Sequence, residues 1–282
     1  MKILNGKDLA TTIKEEIKTE IQNDYILKGK SAPTLAVVLV GDNPASEIYV
    51  RNKVKACEYV GLGSLVERLP QTATEAEILA KIDMLNKNND ISGILVQLPL
   101  PNNLNETKVI EAIDPNKDVD ALSYINKGKL VSGTNIIAPC TASGIIDILK
   151  MNGIEISGKR AVVVGRSQLV GRPVEILLTQ NNATTTICHS RTQNLKEITA
   201  SADILVVAIG KPNFITAEYV KEGAVVIDVG INRVNGKVVG DCDYNNLLEK
   251  VGAITPVPGG VGPMTITELL KNTLKLAKCQ EK

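Results

Sequence analysis

Val162-Val163-Val164-Gly165-Arg166-Ser167-Gln168-Leu169-Val170-Gly171 is the stretch on which the fold turns. An apolar β-branched run feeds a glycine turn, and the chain then takes up a helical pattern. The glycines let backbone come close to a phosphate, and the free N–H groups at a helix start hold the anion. The spacing departs from G-x-G-x-x-G, because Ser167 stands where a second glycine would and Gly171 comes later. By itself this string also describes a tight strand-to-helix turn with no ligand. Working outward, Arg160–Val164, 184–188, 204–208 and 224–229 are short β-rich runs. They recur about every 20 residues, with helical patterns between the first three, which is the rhythm of a doubly wound α/β domain with a parallel sheet.

The next strand end reads Ile187-Cys188-His189-Ser190-Arg191-Thr192. NAD-binding domains place Asp or Glu there to accept from the ribose 2′-hydroxyl. No acid stands at that point. Ser190, Arg191 and Thr192 offer donors, and Arg166 adds a cation in the turn. A carboxylate would repel a 2′-phosphate, whereas hydroxyl and guanidinium groups bind one. These residues point to NADP, held in a Rossmann-like domain. His189 is the only histidine, and its place on the adenosine side favours a structural or adenine-proximal role over general-base work. The segment from Asp228 through Gly230, Ile231 and Asn232 closes the last of these strands, where ligands sit in open α/β sheets.

The first half carries the same alternation. Leu9, Ile13, Ile17, Ile21 and Tyr25 mark an amphipathic helix. Leu35–Val40 reads as a strand buried on both faces. A helix bearing Tyr49 and Lys53 follows, then strands over 64–69 and 91–96 around a helix near 75–86. Leu98-Pro99-Leu100-Pro101-Asn102-Asn103 and Asp114-Pro115 break regular structure. The segment 120–140 is rich in Gly, Ser and Asn and reads as the boundary. The expectation is two α/β domains with the active-site cleft between them. The first spans 1–138 plus a terminal helix over 265–282, and the second spans 139–264.

The chain has 282 residues, which suits two domains. Lys and Arg number 32 against 31 Asp and Glu, leaving a net charge of +1. That balance gives no global grip on nucleic acid or an anionic membrane. There is no Trp and one Phe, so a base-stacking platform is not expected. Five scattered cysteines without CxxC suit a reduced, cytoplasmic setting. A lone histidine argues against a His-rich metal site. Met1–Asp8 has no signal-peptide core, and no apolar run approaches the ~20 residues of a membrane span.

Tyr49 and Lys53 are four apart on one helix and share a face. A tyrosine ring can stack on a flat ligand, and an ammonium beside it can move a proton or steady negative charge. A surface pair of no consequence has the same spacing. Gln97 follows the run Gly93-Ile94-Leu95-Val96 at a strand end. Asp118 and Asp120 share a side if extended, and a carboxylate there can accept two N–H bonds from an amidine-like edge. Pro258-Gly259-Gly260-Val261-Gly262-Pro263-Met264-Thr265 is a loop of restricted shape with accessible backbone donors, and a helix is expected to start near Thr265.

Taken together, these strings, with Lys117-Asp118-Val119-Asp120 and Pro139-Cys140-Thr141, resemble the bifunctional methylenetetrahydrofolate dehydrogenase/cyclohydrolase family, over nearly the whole chain and in order. The resemblance implies oxidation of 5,10-methylenetetrahydrofolate with NADP+, then hydrolysis to 10-formyltetrahydrofolate, in one-carbon metabolism. It implies Lys53 as catalytic lysine, Gln97 beside it tuning its proton, Asp120 holding the pterin and Tyr49 stacking on the aminobenzoate. It implies Gly165, Arg166, Ser167, Ser190, Arg191 and Ile231 at the cofactor, with Pro258, Gly259 and Gly260 at the substrate, and it implies a homodimer. One position departs: the family reads glycine where Ala121 stands, so that loop must use negative φ or carry strain. The rival readings are an NADP-dependent dehydrogenase of shikimate or amino-acid type, and a non-catalytic dinucleotide-sensing module.

Overall fold

The fold rests on two parallel sheets whose inner strands are buried on both faces, while outer runs such as Gly63–Leu69 and Thr184–Cys188 are partly exposed. The computed structural model describes residues 1–101 and 103–281. In chain order the elements begin β1 (Lys2–Ile3), α1 (Gly6–Asp24), β2 (Thr34–Val40), α2 (Pro44–Val60), β3 (Gly63–Leu69), α3 (Glu75–Lys87), β4 (Gly93–Val96), α4 (Glu106–Glu111) and α5 (Tyr124–Ser132). They continue α6 (Cys140–Met151), β5 (Arg160–Val164), α7 (Gly171–Gln180), β6 (Thr184–Cys188), α8 (Leu195–Thr199), β7 (Ile204–Val207) and β8 (Val225–Asp228). The last are β9 (Asn232–Val234), β10 (Lys237–Val239), α9 (Tyr244–Leu247), β11 (Ala253–Ile254) and α10 (Val261–Gln280).

Two compact units result, one of Met1–Thr11 with Pro139–Thr265, the other of Thr12–Ala138 with Ile266–Lys282. In the second, β2 lies between β3 and β4, all parallel. Ile94 of β4 also bridges Asp118 in parallel, so 117–119 lengthens that sheet by a short edge. Leu35 to Val40 are all at or below 5% exposed, because helices cover both faces of β2. The helix after it begins sharply. The Asn43 side chain accepts from the N–H groups of Ala45 and Ser46 at 2.9 and 3.3 Å, and Pro44 supplies a preset φ. Its end is Gly61 at φ +87.

In the first unit, six parallel strands run β1-β11-β8-β7-β5-β6. From β5 the chain steps outward to β6, then returns to β7 on the other side. The reversal lies between β5 and β7, the place where open α/β sheets bind ligands. β9 and β10 form an antiparallel hairpin turned by Asn235-Gly236, both at positive φ.

Two expectations need correction. Residues 1–138 do not hold together as one unit. β1 pairs with β11, and the Lys7 N–H donates to the Gly259 carbonyl at 3.0 Å, so the first eleven residues belong to the unit of the six-stranded sheet. A two-residue strand has no periodicity of its own to reveal this. α10 starts at Val261, not near Thr265. Pro263 falls in its first turn, where the missing N–H would have no intrahelical partner anyway. The Gly/Ser/Asn-rich segment 120–140 contains the change of unit at Ala138–Pro139 and also holds α5, whose Asn126 N–H donates to the Ser123 hydroxyl at 3.4 Å. Of the terminal helix expected over 265–282, Lys282 lies outside the described residues, as does Asn102 in the proline-rich break.

Candidate functional site

In the three-stranded unit the decisive contact joins α2 to the carboxyl end of β4. Lys53 Nζ donates to Gln97 Oε1 at 2.9 Å, and Gln97 Nε2 donates to the Leu98 carbonyl at 2.6 Å. A carbonyl only accepts, so the amide nitrogen must face Leu98 and the amide oxygen must face the lysine. Gln97 is buried at 9% exposure. Lys53, half-buried, thus meets a fixed acceptor that orients its amine in either protonation state.

Tyr49 sits one turn earlier on α2, 45% exposed, its ring open to a ligand. Asp120 lies two residues beyond the Ile94–Asp118 bridge, and Gln97 three beyond Ile94 on the neighbouring strand. Both therefore emerge at the same end of the sheet, with Asp120 half-buried. Asp118 is not available as its companion. It is 1% exposed, and its Oδ2 accepts from the Ser123 N–H at 2.9 Å and Asn126 Nδ2 at 3.0 Å. It anchors α5. Ala121 takes φ +54, the strained branch of the two open to it.

In the six-stranded unit Gly165 follows β5 at φ +128. A Cβ there would lie 2.3 Å from the Ala208 carbonyl oxygen, and one on Gly171 would lie 2.1 Å from the Gly165 oxygen. Turn, helix start and β7 therefore meet backbone to backbone, which only glycine permits. Ser167 points its hydroxyl at the N–H groups of Val170 and Gly171, at 3.2 and 3.3 Å, and so shapes the helix entry. The Gly165 N–H donates to Cys188 O at 2.9 Å, tying the phosphate-type turn to the end of β6. Arg166, Ser190 and Arg191 are exposed at these adjoining ends. His189 Nδ1 accepts from the Arg191 N–H at 3.1 Å, a loop-shaping role.

Ile231 is 56% exposed beyond β8. Nearby, Asp228–Ile231, Val238 and Pro256–Pro263 line a cavity of about 200 Å³ that includes Pro258, Gly259 and Gly260. Two buried acids organise this end of the sheet, Asp228 from the segment singled out in the sequence and Asp241, which sequence reasoning missed. Asp241 is fully buried, and its carboxylate takes N–H bonds from Ile209 and Gly210. Asp228 is 2% exposed and binds the N–H groups of Gly230, Asp241 and Cys242. Burial pushes the Asp228 carboxyl above the usual range, against the pull of those N–H groups. The contacts of Asp241 with Ile209 and Gly210 span thirty-odd positions of chain, so local sequence carries no signal of them.

Among the described residues no group of three or more His, Cys, Asp or Glu is placed to hold a metal ion, and no helix is long and apolar enough to cross a membrane.

Comparison with known proteins covers both units. The family model for the tetrahydrofolate dehydrogenase/cyclohydrolase catalytic domain matches residues 4–120, and that for the NAD(P)-binding domain matches 139–281. A curated relative, the "bifunctional protein FolD" of Acetivibrio thermocellus, is 54% identical over 282 residues, covering 100% of this chain and 98% of the relative. The solved structure of the bifunctional FolD enzyme, a methylenetetrahydrofolate dehydrogenase/cyclohydrolase, of Campylobacter jejuni superposes with TM-score 0.95 at 47% identity, covering 99% of each chain. The corresponding Trypanosoma brucei enzyme, solved with NADP cofactor and inhibitor, gives TM-score 0.94 at 36% identity, covering 99% of this chain and 98% of that one. With the Lys53–Gln97 pair in one unit and the glycine turn at the strand-order reversal of the other, the chain belongs to the tetrahydrofolate dehydrogenase/cyclohydrolase family.

Proposed function

We propose that this chain oxidises 5,10-methylenetetrahydrofolate to the 5,10-methenyl cation with NADP+, and hydrolyses that cation to 10-formyltetrahydrofolate. The observation that carries the reading is the oriented Lys53–Gln97 pair within a chain of this family. A sensing module needs no amine held in this way, and a shikimate-type dehydrogenase would not account for a match to both family domains.

The residues fit NADP. The glycine turn at Gly165 sits between β5 and the start of α7, the position where such domains take a pyrophosphate, and no acid stands among Ser190, Arg191 and Thr192 to repel a 2′-phosphate. Gly165, Arg166, Ser167, Ser190, Arg191 and Ile231 would hold it. When bound, it supplies the hydride acceptor for the first step.

That first step asks the protein mainly for proximity and orientation, since no proton moves. Tyr49 would stack on the aminobenzoate, Asp120 would accept from the pterin N–H edge, and Pro258, Gly259 and Gly260 would line the substrate. The second step does move protons. Water adds to the methenyl carbon and loses a proton, the bond from that carbon to N5 breaks as N5 gains one, and the remaining hydroxyl proton leaves as the formyl C=O forms, so one proton is released overall. Lys53, held by Gln97 Oε1, would relay protons in this step. A homodimer in the cytoplasm belongs to the same proposal.

Turnover assays with NADP+ and NAD+, beside methenyl hydrolysis without dinucleotide, test it. Both activities are expected, with NADP+ preferred, and absence of both would overturn the reading. Arg166→Ala with Arg191→Ala should raise the NADP+ KM far more than that for NAD+; equal losses would remove the 2′-phosphate assignment.

A further inference from the structure

We infer that Asp241, seconded by Asp228, is a positioning residue for dinucleotide binding, fixing in one geometry the two loops that follow β7 and β8. The inference rests on the NADP reading above and adds to it a residue outside the contact set.

Asp241 is fully buried and reaches two loops at once. Its Oδ2 accepts from the N–H groups of Ile209 and Gly210 at 2.7 and 3.0 Å, just past Ala208, whose carbonyl abuts the Gly165 turn. Its Oδ1 accepts from Asn232 Nδ2 at 2.9 Å. Asp228 Oδ1 accepts from the N–H groups of Gly230 and Asp241, and Oδ2 from that of Cys242, each at 2.9 Å. Gly230 and Asn232 flank the exposed Ile231, so both neighbours of that residue are pinned by the acid pair. The packing leaves no slack. A Cβ on Gly230 would lie 2.4 Å from the Asp241 carboxyl, and one on Gly240 would lie 1.9 Å from Asp228 Oδ2.

Two buried acids whose partners here are neutral N–H groups are a costly way to hold a core together, where apolar residues would serve. The exposed parts of the loops they fix, Gly210 and Ile231, stand at the carboxyl ends of strands beside the β5–β7 reversal. Misplacement of these loops removes surface from a bound dinucleotide. It takes nothing from Lys53 and Gln97, which lie in the other unit.

The test uses full-length protein carrying Asp241→Ala, Asp241→Asn or Asn232→Ala. NADP+ KM and kcat are measured in the dehydrogenase direction, NADP+ Kd by calorimetry, and methenyl hydrolysis without dinucleotide. Asp241→Ala should raise NADP+ KM and Kd about tenfold or more, with hydrolysis per folded molecule retained. Asp241→Asn should recover most of the affinity. Its oxygen can still face Ile209 and Gly210, while Asn232 turns its own oxygen to the new amide. Asn232→Ala, which removes one arm only, should raise Kd about threefold and covers the case in which Asp241→Ala does not fold. Unchanged NADP+ affinity in the folded variants, or parallel loss of both activities, overturns the inference. If the unaltered protein binds NADP+ but turns over no folate, the functional reading fails, while the Kd series still decides this one.

Discussion

At the residue scale, Lys53 and Ala121 show two different kinds of legibility. Lys53 could be singled out because Tyr49 precedes it by one helical turn and the surrounding strings match a family. That Gln97 aims an oxygen at it depends on the Leu98 carbonyl holding the amide nitrogen, which spacing does not reveal. Lys53→Met should abolish methenyl hydrolysis and leave measurable dehydrogenase activity, provided folate still binds; normal hydrolysis by the purified variant would remove Lys53 from its role. Ala121 is a local conflict that the fold absorbs. Its left-handed backbone costs about 1–2 kcal/mol. Glycine would relieve that, but would lose about 0.8 kcal/mol of methyl burial and about 0.5–1 kcal/mol of backbone entropy. Ala121→Gly should therefore shift stability by less than about 1 kcal/mol, as read by urea denaturation.

At the scale of elements, helix ends decide which charged side chains are structural. Lys117 is 7% exposed, and its Nζ donates to the carbonyls of Leu85, Asn86 and Asn88 at 3.3, 2.8 and 2.7 Å, closing the end of α3. Burial lowers its pKa, opposed by Asp114. Lys117 stands beside Asp118 in a string that reads as ligand chemistry, yet both side chains are spent on helix ends. Lys117→Met keeps the apolar stem and orphans three carbonyls. It should cost about 3 kcal/mol, seen as a lower urea midpoint at unchanged slope. β5 to β8 were legible almost to the residue because β-branched runs bounded by turns have one reading. β1 and the start of α10 were not, because their partners, β11 and the Gly6–Lys7 backbone, come from the other end of the chain.

For the molecule as a whole, many surface carboxylates are held below their ordinary pKa by paired cations: Asp24 by Lys278 and Lys28, Glu47 by Arg68, Glu75 by Lys108, Asp203 by Lys221 and Glu218 by Lys196. Groups depressed in the folded state stabilise it above their unfolded values, near 4, and that contribution disappears as pH falls through the folded values. Asp228, raised by burial, acts in the opposite sense. Thermal unfolding should hold level from about pH 7 to 5 and drop below about pH 4, and about 0.5 M salt should flatten the drop because the pairs are exposed. The amino-acid sequence by itself determined the α/β alternation, the glycine turn, the lack of an acid at the end of β6 and the Tyr49–Lys53 face, because each is set by neighbours within a few positions. Only the tertiary structure decided that the first eleven residues belong to the six-stranded unit, that Asp118 serves α5, and that Asp241 fastens two distant loops. Those outcomes depend on which backbone N–H groups burial leaves without water, and local sequence carries no record of that.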